Sequence, residues 1–130
     1  MLRLVLIAAL ALLPLTPALA HEGHDVPGQV KSRHGGIVKT GKQMHMEMLA
    51  LDGKIQFFPF PHENEKLDFN KLNLTATIKS PKGKPADMPL KKETNSFSGT
   101  YKLEGSYRAD IEVSVDYNGK KDKFKFLVEE

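Results

Sequence analysis

From Tyr107 to Tyr117 the chain alternates without a break: Tyr107, Ala109, Ile111, Val113, Val115 and Tyr117 are separated by Arg108, Asp110, Glu112, Ser114 and Asp116. A period of two is the pattern of a strand with one buried and one wet face, and a helix of 3.6 residues per turn cannot bury every second residue. Asn118-Gly119 comes next, a dipeptide suited to the two-residue type I′ turn because both central positions need positive φ. Phe124, Phe126 and Val128 then alternate with Lys123 and Lys125. The stretch predicts a long antiparallel hairpin whose inner face, Ile111, Val113, Val115, Phe124 and Phe126, anchors a core.

The same grammar runs through the rest of the chain. Gly35-Gly36 is a turn signal, Ile37–Thr40 a short strand, and Gly41-Lys42 turns into a strand over Gln43–Leu51. Asp52-Gly53 predicts a second tight hairpin, leading to a strand over Ile55–Phe60. Pro59 cannot donate a ladder hydrogen bond, which puts that strand at an edge or ends it there. Leu72, Leu74, Ala76 and Ile78 alternate inward on the next strand. Lys79–Pro89, with three prolines and a glycine, reads as a long loop or irregular hairpin, and Met88 within it is isolated. Phe97, Gly99, Tyr101 and Leu103 mark a further strand, closed by the turn Glu104-Gly105-Ser106. About seven short strands, regular turn signals and no helical period predict an all-β fold, a small antiparallel β-sandwich of immunoglobulin-like outline. The Cys and Trp of antibody domains are missing, so the pattern leaves the topology within that class open.

Met1–Ala20 has the three parts of a secretory signal peptide: Arg3, the apolar run Leu4–Leu13, and Ala18-Leu19-Ala20 as an A-x-A site. The run is shorter than the roughly 20 residues a bilayer span needs. Cleavage after Ala20 predicts a periplasmic or secreted protein of 110 residues with no remaining membrane span. Its expected organisation is a flexible His-containing tail over 21–33 and a β-sandwich domain over 34–130. Loss of Arg3 leaves 18 basic against 16 acidic residues, too near balance to argue for nucleic acid. Cysteine is absent, which removes disulfides, thiolate metal sites and thiol catalysis. Packing alone has to stabilise the domain, which open sandwich edges leave as a monomer or a dimer.

The residues with chemistry cluster early. Four of the five histidines, His21, His24, His34 and His45, fall within the first 25 positions after the cleavage site. A free α-amine on His21 and its own imidazole can chelate one metal ion, with His24 in reach, and nitrogen-rich ligation of this kind suits Cu(II), and less selectively Zn(II) or Ni(II). Gly23, Pro27 and Gly28 also make this stretch read as a disordered terminus. In the strand that follows, Met44, Met46, Met48 and Ala50 share one face and His45, Glu47 and Leu49 the other. The methionines then fill the core, or act as Cu(I) ligands if they face solvent. His45 and Glu47 are expected on the wet face, either as a plain surface pair or, with His34, as a two-histidine, one-carboxylate metal set. Such a set suits Zn(II), Cu(II), Ni(II) or Co(II). Pro61–Lys66 reads as a polar surface loop, with His62 and Glu63 joining a site only as a second reading.

No phosphate loop, nucleophile elbow or H-E-x-x-H helix is present, and an enzyme is not expected. The segment His34-Gly35-Gly36-Ile37-Val38, followed by Met44-His45-Met46-Glu47-Met48, resembles the H-G-G-x-V…H-x-E-L segment of small exported metal-handling proteins associated with heavy-metal efflux systems. It is also similar to a segment of periplasmic adaptor subunits of efflux pumps. His34, His45 and Glu47 match by position; Met48 replaces a usual leucine, and Phe58-Pro59-Phe60-Pro61 departs from a usual Asp-rich turn. The resemblance implies a periplasmic carrier or accessory to heavy-metal efflux or homeostasis, binding Cu(II) or Zn(II) and partnering an efflux-pump periplasmic subunit. The alternative expectation is a metal-free immunoglobulin-like interaction module of an envelope complex.

Overall fold

The computed structural model describes residues 30–130, so the proposed signal peptide, His21 and His24 lie outside the described residues. Nine strands form among the described residues: β1 (Ile37–Thr40), β2 (His45–Leu51), β3 (Lys54–Phe60), β4 (Leu72–Lys79), β5 (Ala86–Met88), β6 (Lys91–Lys92), β7 (Phe97–Thr100), β8 (Arg108–Tyr117) and β9 (Lys120–Glu129). They make two antiparallel sheets, ordered β1-β2-β3-β7-β6 and β5-β4-β8-β9. Within these, β2-β3-β7-β6 and β4-β8-β9 reproduce the A-B-E-D and C-F-G orders of the immunoglobulin sandwich, with β5 in the C′ place. β1 is an additional strand outside A. Among the described residues no helix is long and apolar enough to cross a membrane.

The turns explain why the chain folds back where it does. Asp52 and Gly53 have φ of 52° and 78°, and Asn118 and Gly119 have 52° and 83°. Positive φ at both central positions is the type I′ geometry whose twist matches paired strands. The β8–β9 hairpin pairs Val113 with Phe124 and Ile111 with Phe126, and all four side chains are buried. Across the sandwich, Phe57 of β3 meets Phe126 of β9 with ring centroids 6.0 Å apart.

Met44, Met46 and Met48 are buried in this core with Ile55, Phe57 and Leu72, so the core reading of the methionines holds and they do not face solvent. Met88, isolated in the sequence, is buried as well, because β5 pairs it with Ala76 of β4. That pairing turns the proline-rich stretch into an irregular hairpin. The two strands beyond the expected seven, β5 and β6, are three and two residues long, too short for a period to register. Tyr107, expected inward, is 65% exposed; β8 begins only at Arg108, after the turn in which Ser106 N–H donates to the Leu103 carbonyl. Tyr101 and Leu103 are buried as expected, but β7 ends before them at Thr100. The edge or strand end expected at Pro59 is not what forms: β3 lies between β2 and β7 and runs on to Phe60, and the proline is tolerated there because pairing with β7 stops at Phe57.

Candidate functional site

The outer face of β2 and β3 carries His45 and Glu47 opposite Phe60 and Phe58. Period-two reasoning puts both β2 residues in water, and the structure corrects this: Glu47 is 0% and His45 8% exposed. The cover is the segment just before β1. Gly36 crosses directly over β2, where any Cβ would collide with the Met48 carbonyl oxygen. Gly35 before it has a φ of 82°, in the left-handed region that glycine adopts at no steric cost. The two glycines thus let the chain lie flat on its own sheet. His34 stacks on Phe58 at a centroid distance of 3.7 Å, and the Arg33 guanidinium lies 4.3 Å above the Phe60 ring. Arg33, read from sequence as part of the flexible tail, is therefore packed on the domain.

The Glu47 carboxylate fastens this strap. It accepts backbone N–H bonds from Arg33 (3.0 Å), His34 (3.0 Å to Oε2) and Gly36 (2.8 Å). His34 Nδ1 lies 3.0 Å from its Oε1, and a carboxylate oxygen only accepts, so that nitrogen carries the proton. Successive N–H groups around a left-handed glycine form an anion nest. Burial on its own would raise the Glu47 pKa, but the bonds from Gly36 N–H, the His34 ring, and Arg33 and His34 N–H outweigh it and hold the carboxyl below its ordinary value. Glu47 is thus an ionised, fully satisfied anchor.

The expected trio of His34, His45 and Glu47 is brought together only in part. His34 and Glu47 touch, while the His45 ring turns to other partners: Thr40 Oγ1 lies 2.9 Å from its Nδ1. The ring of His62 stands 4.6 Å away, centroid to centroid, tilted by 36°. His62 Nε2 is 3.1 Å from the Gly41 carbonyl oxygen, which fixes Nε2 as the protonated nitrogen. His45 has its pKa lowered, by burial first, then by His62 and by Arg33, and is neutral at pH 7. Among the described residues no group of three or more His, Cys, Asp or Glu side chains is placed to hold a metal ion. The residue that sequence reasoning put second is His62. Its only sequence signal was the turn at Pro61, and nothing local tells that this loop folds against the start of β2.

Each of the three rings has one nitrogen engaged, by Glu47, Thr40 or Gly41. These bonds use one nitrogen of each ring, and among the described residues no buried side-chain nitrogen or oxygen lacks a partner. Metal-binding histidines have one nitrogen oriented by such a bond and the other presenting its lone pair; the acceptors Glu47 and Gly41 put His34 and His62 in that form, and His45 takes it when its Nδ1–H donates to Thr40 Oγ1. Glu47 fits this scheme as the orienting group behind His34, not as a ligand.

Fold and site together define an immunoglobulin-like sandwich carrying a glycine strap locked by a buried carboxylate and a histidine-bearing face above it. No protein-family model matches the chain, and no curated protein or solved structure matches it either.

Proposed function

We propose that this protein is an exported metal-binding protein, acting in the periplasm as a carrier or accessory to copper or zinc efflux and homeostasis. The observation that carries the reading is the set of three imidazoles on one sheet face, His34, His45 and His62, each with one nitrogen held by an orienting partner. The strap runs from Gly36 over Met48, through His34 over Phe58, to Arg33 over Phe60, and Phe60 is the partner of His45. The chain thus arrives from the His45 side. His24 lies nine residues before Arg33, a stretch that spans at most about 30 Å when extended. His21 and His24 are therefore within reach of this face as additional ligands. The pump-associated role rests on the resemblance of the His34-Gly35-Gly36…His45-x-Glu47 segment to exported metal-handling proteins.

Protein beginning at His21, purified without an affinity tag at neutral pH and titrated with Cu(II) and Zn(II) against a chromophoric chelator, tests the reading. Stoichiometric binding of either ion supports it. Protein that purifies metal-free and competes for neither ion supports the alternative, an interaction module whose histidines serve only packing.

A further inference from the structure

We infer that His45 and His62 are the paired protein ligands of one divalent d-block cation, through His45 Nε2 and His62 Nδ1, and that Glu47 is not a ligand. The inference rests on the metal-binding reading above and names its centre. The nitrogens follow from hydrogen-bond chemistry. The Gly41 carbonyl can only accept, so His62 Nε2 carries the proton, and the neutral ring leaves its lone pair on Nδ1. Thr40 Oγ1 engages His45 at Nδ1, and a hydroxyl can accept as well as donate; in the tautomer whose Nδ1–H donates to it, the lone pair lies on Nε2. The two rings are neighbours, 4.6 Å apart centroid to centroid and tilted by 36°, so they are close enough to serve one ion.

The second element is the scaffold behind the rings. His45 leads β2 and Thr40 ends β1, and the two are register partners. Gly41 opens the connection between these strands, where its N–H donates to the Met44 carbonyl at 2.8 Å. Both orienting groups therefore lie in one tight turn, so the rings are aimed by the same rigid element. The turn is itself docked on β9, with Gln43 N–H 3.3 Å from Asp122 Oδ2. Nothing in the core or in the strap calls for His62: its Nε2–H bonds a turn carbonyl, and its ring stands tilted beside that of His45. The Glu47 carboxylate is committed to four donors, and the Arg33 guanidinium beside Phe60 puts a cation near the two imidazoles. An ion held here sits against that positive charge, which makes the site weaker than the two imidazoles alone would be.

The test uses the whole chain from His21 and competition titration with Zn(II) and Cu(II) at pH 7.5. His62→Gln and His45→Gln should each weaken binding at least tenfold, Glu63→Gln should leave it unchanged, and Arg33→Gln should tighten it. Long-range proton–nitrogen NMR supplies a readout independent of folding in the variants: added Zn(II) should shift His62 Nδ1 and His45 Nε2 in the wild-type protein and leave their partner nitrogens protonated or bonded. If the wild type binds but His62→Gln binds equally well, or the shifts fall on His21 and His24 alone, the pair is not the centre while the metal-binding reading stands. If the wild type binds neither ion, both fail together.

Discussion

Replacing Glu47 by Gln keeps the shape of the side chain and removes the charge that the strap is folded around. The carboxylate takes four donors, from Arg33, His34 and Gly36 N–H and the His34 ring. A glutamine has one carbonyl oxygen, which takes two of them at most, and its NH2 then faces the remaining donors. Hydrogen bonds to a charged group are each worth about 1.5–3 kcal/mol net, so two lost bonds bound the cost near 3–6 kcal/mol. The strap can lift and rehydrate its N–H groups, which brings the expected loss to roughly 2–4 kcal/mol, in line with breaking a buried ion pair. In a domain of this size each kcal/mol moves Tm by about 4–8 °C, so Glu47→Gln should melt at least about 8 °C lower. The pH dependence follows from the sign of the shift. Glu47 is held below its ordinary pKa by the fold, so its contribution is complete above the unfolded value of about 4.3 and is lost as pH falls through the lower folded one. The gap between wild type and variant, measured by urea titration, should therefore be constant from pH 8 to about 5 and close as the solution is acidified further. A variant melting within about 2 °C of wild type, or a gap that does not change at low pH, would refute the lock.

Other expectations can be measured on the same instrument. Gly36→Ala should cost about 1–3 kcal/mol or more as overpacking, since the added Cβ meets the backbone of β2 and not a movable side chain; an unchanged urea midpoint would show that the strap does not lie this close. Met46→Ala should cost roughly 2–5 kcal/mol as a core truncation while Cu(II) and Zn(II) affinities of the folded protein stay within a factor of two; loss of metal binding without loss of stability would mean that the methionines are the site. Val113→Asp should give no cooperatively melting protein, because Val113 is fully buried and an unpaired buried charge costs several kcal/mol. In chelator-treated protein, His45 should erode stability on acidification: its folded pKa lies below 6.5, so its contribution is whole above that value and declines as pH falls below it. His45→Gln should flatten that part of the profile.

The alternating residues of β8 and β9, and the Asp52-Gly53 and Asn118-Gly119 turns, determined the sandwich from sequence, because strand period and turn φ are local properties that a few adjacent residues set on their own. The same locality placed Met44, Met46 and Met48 together on the inner face of the strand that ends in β2. What it could not decide was the state of the opposite face. Alternation separates two faces of a strand but is silent on whether the second one meets water or another part of the chain. Here Glu47 is buried by residues 11 to 14 positions earlier, and His45 by a loop that begins after the next strand. Gly35-Gly36 was legible as a turn, yet its purpose, a close approach to the Met48 carbonyl, exists only once β1 has folded back along β2. The tertiary structure alone gave Glu47 its four donors and set His62 beside His45, because burial and hydrogen-bond partnership are decided by which distant segments share a surface.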